Sequence, residues 1–248
     1  MTNAAGAWFV HQPAPVDARV TLFCLPHSGA GASAYRHWRT TFPDWVSVQP
    51  IQLPGRESRI AEPPEFTPEE VADAMLTRID RPYAVYGHSM GALLAGEAVR
   101  ELVRRGEQPP LQLYVSASTP PGGDVSYPAG ILELGDRSIV EELVNLGGTV
   151  PDLLEHEQML AIAVRLIRAD FGWVTRYPFA DTRPLPIPIT ALAGDRDPIA
   201  DVDLVAGWKA HTDVGFRFEV LPGGHFFVHE RLTQVVEMIS DELSAALE

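Results

Sequence analysis

A chain of 248 residues with 46% hydrophobic and 21% charged residues has the balance of one large globular domain, which excludes a disordered or low-complexity chain. Its net charge of −14 excludes nucleic acid and anionic membrane surfaces as partners, because an acidic surface repels phosphate. The lone cysteine, Cys24, excludes an intramolecular disulfide; with no run of ~20 apolar residues, and no basic start and apolar run over Met1 to Gln12, a soluble cytoplasmic protein is expected.

Short apolar runs alternate with helical patterns, which predicts βα units on a mainly parallel sheet. The first strand is expected over 19–25, with Cys24 as a small core residue. Glycine-rich Pro26-His27-Ser28-Gly29-Ala30-Gly31 follows it. A second strand is expected over 46–53. Thr67-Pro68-Glu69-Glu70 then carries a helix start: a capping threonine, proline at the first position and an acid three residues on. A third strand over 83–87 runs into Gly87. Met90 to Arg105 is predicted as a helix, with Leu93, Leu94, Ala98, Leu102 and Val103 at helical spacing. A fourth strand is expected over 111–118.

Segment 130–178 breaks the alternation. It holds a second capping signature, Ser138-Ile139-Val140-Glu141, and a long periodic stretch from Met159 to Trp173, but no strand. It reads as a helical insertion into a single domain whose core is 1–129 and 179–248. Its functional reading is a lid over the carboxyl ends of the strands; its plainer reading is an elaborated crossover. Proline-rich 184–188 re-enters the core. A strand over 187–193, a helix over 201–210, a strand over 216–221 and a final helix over 229–246 complete the chain.

Gly87-His88-Ser89-Met90-Gly91 fits Gly-x-Ser-x-Gly, in which a sharp strand-to-helix turn projects the serine hydroxyl above the sheet. The pattern alone is weak; the strand before it and the helix after it make Ser89 a candidate nucleophile. A serine needs a general base, and chain order in such sites is Ser, acid, His. His225, in Pro222-Gly223-Gly224-His225, follows the 216–221 strand and is the candidate base. His156, His211 and His229 read as surface histidines. The acid is expected in Gly194-Asp195-Arg196-Asp197-Pro198: Asp197 is preferred, because the spacing gives the chain room to turn, and Asp195 is the alternative. Two backbone N–H donors must meet the oxyanion, and Met90 and Ser28 are assigned to them. No Gly-Lys-Ser/Thr follows the first glycine loop, so it is not a P-loop. Scattered histidines and unpaired cysteine suggest no metal site.

These residues resemble a known family. The chain looks like a type II thioesterase, the free-standing editing thioesterase of polyketide synthases and nonribosomal peptide synthetases, a branch of the α/β-hydrolase superfamily. The resemblance rests on Leu22 to Gly31, Gln52-Leu53-Pro54-Gly55-Arg56-Glu57, Gly87 to Gly91, Leu146-Gly147-Gly148-Thr149, Arg168-Ala169-Asp170-Phe171, Gly194 to Pro198 and Gly223-Gly224-His225-Phe226, spread over nearly the whole chain in the family's order. The family often has alanine where Ser28 stands; a backbone N–H serves either way.

The resemblance implies an α/β-hydrolase fold with a helical lid and hydrolysis of acyl groups from the phosphopantetheine thiol of carrier proteins. It implies Ser89 as nucleophile, His225 as base, Asp197 as acid, and Ser28 and Met90 as oxyanion donors. No cofactor is implied beyond the phosphopantetheine that the carrier protein brings. The partner would be an acyl or peptidyl carrier protein, met transiently by a monomer. Met159, Leu160, Ile167, Phe171 and Trp173 are candidates to line an acyl channel, or equally to pack the core. Carrier proteins are usually acidic, so the arginine clusters 36/39, 56/59 and 100/104/105 are candidates for a local basic patch, against the plainer reading of solvated faces. Rival readings are a small-molecule esterase or acyltransferase with the same triad, and a non-catalytic binding protein on this fold.

Overall fold

The structure, a computed structural model, describes residues 7–10, 14–148 and 155–248. Six strands form one sheet: β1 (Val20–Leu25), β2 (Val46–Pro50), β3 (Tyr83–His88), β4 (Leu113–Ser116), β5 (Ile189–Gly194) and β6 (Phe216–Leu221). Their order is β2-β1-β3-β4-β5-β6, and every neighbouring pair is parallel. β1 to β5 are buried along their whole length, which is why they read as near-continuous apolar runs. β6 lies at an edge and is only partly buried. Cys24 is buried in β1, and burial raises the pKa of its thiol.

Successive residues of a strand face opposite sides, and each side has its own core. Phe23 and Leu25 of β1 join Tyr83 and Val85 of β3 under α2 (Pro68–Leu76) and α3 (Met90–Arg104). Val20, Leu22 and Cys24 join Ala84 and Tyr86 on the other side, under α1 (Trp38–Thr41) and the last helix. The capping box of α2 is complete: Glu70 N–H donates to Thr67 Oγ1 at 3.2 Å and Thr67 N–H to Glu70 Oε2 at 3.0 Å, with Pro68 at the first position.

Between β4 and β5 the chain forms α4 (Ser126–Leu132), α5 (Asp136–Asn145) and α6 (Glu157–Arg176). Their facing side chains, Ile131, Ile139, Val140, Val164, Ile167 and Phe171, make a third, smaller core. The first of these helices starts at Ser126, ahead of the expected 130, because Asp124 Oδ1 accepts its N–H at 2.8 Å. α5 starts at Asp136, so Ser138 lies inside the helix rather than capping it; Arg168 holds Asp136 at 2.8 Å and fixes the earlier start. Thr149 lies outside the described residues.

Other boundaries differ for local reasons. β2 stops at Pro50, and Ile51 makes an antiparallel bridge with Phe9. β4 ends at Ser116 because Ala117 takes φ 50°. β5 begins after Pro188, since prolines 186 and 188 have no N–H to donate. The expected 201–210 helix splits into α7 (Val202–Ala206) and a tighter 3₁₀ turn over Gly207–His211. The last helix divides at Arg231 (φ −109°, ψ 20°) into α8 (Phe227–Glu230) and α9 (Leu232–Ala246). Among the described residues no helix is long and apolar enough to cross a membrane.

From β1 the chain moves outward to β2, then crosses back to β3 and proceeds the other way. The loops leaving β1 and β3 therefore diverge and open a crevice at the carboxyl ends of the strands.

Candidate active site

Ser89 sits in that crevice, between β3 and α3, with φ 55° and ψ −123°. A non-glycine residue in such a conformation costs ~1–3 kcal/mol and persists only where its surroundings hold it. Here Ser89 N–H donates to Ser116 O at 2.8 Å, and Ser89 O accepts from Ala92 N–H at 2.9 Å. The flanking glycines are required by close approach. A Cβ on Gly87 would collide with the Gly91 carbonyl, and one on Gly91 would lie 2.6 Å from Pro26 O and closer still to Leu25 O.

His225 and Asp197 come from the loops after β6 and β5. A Cβ on Gly194 would lie 2.6 Å from Gly224 O, so this glycine lets the two loops touch. Ser89 Oγ lies 3.0 Å from His225 Nε2, and His225 Nδ1 lies 2.8 Å from Asp197 Oδ2. The carboxylate accepts, so Nδ1 carries the ring proton and the Nε2 lone pair faces the hydroxyl. The other Asp197 oxygen, Oδ1, accepts from Ile199 N–H at 2.9 Å and Ala200 N–H at 3.1 Å, which fixes the carboxylate plane. Asp195 turns away: its Oδ1 accepts from Gly223 N–H at 2.8 Å and lies 3.7 Å from Arg196 Nε.

Ser28 and Met90 line the same cavity as Ser89 and His225. Met90 opens α3, where no intrahelical acceptor exists for its N–H. Ser28 N–H has no acceptor among the described residues. Behind His225 lies His88, buried, with Nδ1 3.1 Å from Ser116 Oγ and its ring 5.4 Å from the His225 ring. Burial, then the neighbouring His225, hold its pKa well below that of a free imidazole, so it is neutral. His27 also lines the cavity and packs edge-on against Phe226; burial and the nearby His229, His225 and Arg56 push its pKa down to about 3. His156 and His229 are exposed. His211 is buried instead, packed against Trp208, since the 3₁₀ turn directs it inward.

The cavity has a volume of about 520 Å³, within the ~300–1,000 Å³ range of small-molecule sites. Leu93, Leu143, Leu146, Phe171, Val174 and Phe179 give it apolar lining. Of the five channel candidates Phe171 alone lines it. Met159 is exposed, and Leu160 and Ile167 pack within the helical insertion. Trp173 packs on Phe66, Tyr177 and Phe179. Helical spacing marked these side chains as apolar without showing which neighbour each one meets. Much of the remaining lining comes from the loops after β4 and β5, which carry no periodic pattern; their place at the carboxyl ends of strands is the signal that finds them.

The arginine clusters are largely neutralised. Arg56 is buried against Asp170, and Arg59 pairs with Glu62 at 2.6 Å. Arg100 faces Glu97 and Asp181; Arg104 pairs with Glu101, and Arg105 with Glu101 and Asp73. Arg36 and Arg39 have no carboxylate partner among the described residues.

Comparison with known proteins places the chain in a family. Residues 20–243 match the family described as the thioesterase domain. The gramicidin S biosynthesis protein GrsT of Aneurinibacillus migulanus is 34% identical over 97% of this chain and 95% of its own. The RedJ thioesterase of the prodiginine pathway in Streptomyces coelicolor superposes with a TM-score of 0.82 at 35% identity, covering 97% of this chain and all 100% of its own. The type II thioesterase BorB of the borrelidin cluster superposes with a TM-score of 0.83 at 31% identity, covering 98% and 100%. The parallel sheet, its flanking helices and these matches establish that the chain belongs to the thioesterase family, thioester hydrolases built on the α/β-hydrolase fold.

Proposed function

We propose that the chain is an editing type II thioesterase that removes acyl groups from the phosphopantetheine thiol of carrier proteins on a polyketide or nonribosomal peptide assembly line. The observation that carries the reading is the line Ser89–His225–Asp197, at 3.0 and 2.8 Å, at the edge of an acyl-sized cavity. The assembly-line setting comes from relatives such as GrsT and BorB.

Ser89 Oγ attacks the thioester carbonyl while His225 Nε2 takes its proton. The Ser28 and Met90 N–H groups receive the charge that grows on the carbonyl oxygen; one such donor is worth ~10²–10³ in turnover. His225 returns the proton to the pantetheine sulfur, and the acyl group stays on Ser89. Water, deprotonated by His225, then releases the acid. Asp197 holds the imidazole in the required tautomer and steadies its charged form. No cofactor enters this scheme. The insertion of α4, α5 and α6 acts as the lid, with α4 and α5 as its movable part, and the enzyme works in the cytoplasm as a monomer.

A fluorophosphonate probe should label the native protein and fail on Ser89→Ala. Turnover of an acyl-carrier protein should exceed that of simple esters in kcat/KM. Unlabelled native protein would support a binding protein, and faster simple esters would support a small-molecule esterase.

A further inference from the structure

Two of the stretches on which the resemblance rests touch none of the reacting atoms: Gln52 to Glu57 and Arg168 to Phe171. In the fold they meet, 114 residues apart, behind the loop that carries Ser28. Arg56 Nη2 donates to Asp170 Oδ1 at 2.8 Å and Arg56 Nη1 to Asp170 Oδ2 at 2.9 Å, a bidentate pair with side-chain exposures of 1% and 0%. Each partner also holds the loop. Asp170 Oδ2 accepts from Gly29 N–H at 2.7 Å, and Arg56 Nη1 donates to Ala30 O at 3.0 Å. Arg56 Nε binds Pro54 O at 3.2 Å. Gln52 closes the frame: its Oε1 accepts from Ala32 N–H at 3.0 Å and its Nε2 donates to Arg56 O at 2.9 Å.

These ties determine where the Ser28 N–H points. Ala30 N–H donates to His27 O at 3.1 Å. In a trans peptide C=O and N–H are antiparallel, so the N–H of the same peptide, that of Ser28, turns the opposite way. Asp170 fixes the next peptide plane through the Gly29 N–H, and Gly29 has a φ of 80° that suits glycine. The Ala30 N–H ties the plane after that back to His27 O, and Arg56 fixes the Ala30–Gly31 plane through Ala30 O. Ile167, one turn before Asp170 in α6, packs on Gly29, where a Cβ would lie 3.3 Å from its Cγ1. A buried ion pair roughly breaks even in stability against apolar residues of like volume. Its effect here is on geometry.

We propose that Asp170 and Arg56 are positioning residues for the reaction: together they aim the Ser28 N–H at the developing oxyanion, so that α6 of the insertion belongs to the rigid frame of the oxyanion hole. The proposal rests on Ser28 as an oxyanion donor. An active site depends on donors held within about 0.5 Å, and a loop this rich in glycine does not hold itself.

The test uses the full-length protein and an acyl-pantetheine thioester. In Asp170→Asn kcat should fall about 10²-fold while KM stays within about threefold, because the lost interaction belongs to the transition state. Affinity for a trifluoromethyl ketone, whose adduct carries the oxyanion, should fall by the same factor. Arg56→Lys, which keeps the charge and loses the fork, should show the same split at smaller size. Circular dichroism should show both variants folded. Ser28→Pro removes the N–H itself, and adding Asp170→Asn to it should cost nothing further. Folded variants with native kcat, or with raised KM and unchanged ketone affinity, would overturn the proposal. Native activity in Ser28→Pro would instead overturn the oxyanion assignment beneath it. In the native protein, with no variant needed, the Gly29 amide should be strongly protected from hydrogen exchange; free exchange there would equally refute the tie.

Discussion

Asp197→Asn offers the sharpest test of the catalytic assignment. The carboxylate has two separate duties. Oδ1 accepts two backbone N–H groups, from Ile199 and Ala200, and Oδ2 accepts the His225 Nδ1 proton. An asparagine has only one accepting oxygen, and the two backbone donors hold it at the Oδ1 position. Its NH₂ group then faces His225 and must donate to Nδ1. The ring proton moves to Nε2, the atom 3.0 Å from Ser89 Oγ, and the lone pair that should take the serine proton is gone. The loss expected for a wrong tautomer is ~10⁴ in kcat, about 5.4 kcal/mol in the barrier. Asp195→Asn is the internal control: its oxygen can still accept Gly223 N–H, and turnover should stay within about threefold. Both variants are assayed by thiol release from an acyl-pantetheine thioester under saturating substrate. A retained kcat in Asp197→Asn, or a collapse in Asp195→Asn, would refute the reasoning.

Three further outcomes follow from geometry already described. Gly91→Ala sets a methyl group against the Leu25 and Pro26 carbonyls, so the elbow must shift; the thermal midpoint should drop by the equivalent of ~1–3 kcal/mol and turnover should collapse, and unchanged melting and rate would contradict the close approach. Val174→Phe fills part of the cavity wall contributed by α6; kcat/KM for a long-chain acyl thioester should fall about tenfold while that for an acetyl thioester changes less than about twofold, and equal losses would show that Val174 does not face the acyl chain. Burial, then the charge of Arg100, hold His211 below the ordinary imidazole pKa, so the unfolded chain binds more protons than the fold at acid pH. That stability is complete above pH ~6.5 and drains away as pH falls below it. In urea titrations at pH 7 and pH 5, His211→Gln should lessen the drop in stability; identical drops would contradict the lowered pKa.

Much of this molecule could be read along the chain, and what could be read was local. The elbow around Ser89 is written in five consecutive residues, because the glycines answer a collision within the turn itself. The strands before Ser89 and Asp197 announce themselves by burial on both faces; the strand before His225, at the sheet edge and only partly buried, is marked by its place between turn residues. Asp195 and Asp197 leave the same strand end two residues apart, and only the position of the His225 ring separates them. Arg56 looked like half of a surface cluster with Arg59; its partner is Asp170 on α6, and no local pattern encodes that pairing. The periodicity of Met159 to Trp173 identified a helix correctly. It could not say that Ile167 would meet Gly29, that Trp173 would meet Phe66, or that Phe171 alone would reach the cavity.

The parallel sheet has a consequence for how the protein is made. Parallel neighbours cannot be joined by a tight turn, so each adjacent pair of strands closes a long loop. Ser89 and His225 are 136 residues apart, and the histidine follows the last strand, on the outer edge of the sheet. Its loop is packed down only when α9 covers Leu221 and Phe227 on that side. With Ser89 and His225 in their proposed roles, a nascent chain on the ribosome carries its nucleophile long before it has a base. It stays inert toward acyl groups until nearly the last helix has emerged and docked. Reaction with an active-site probe accordingly counts finished molecules, and a shortened C-terminus would yield protein that is present but silent.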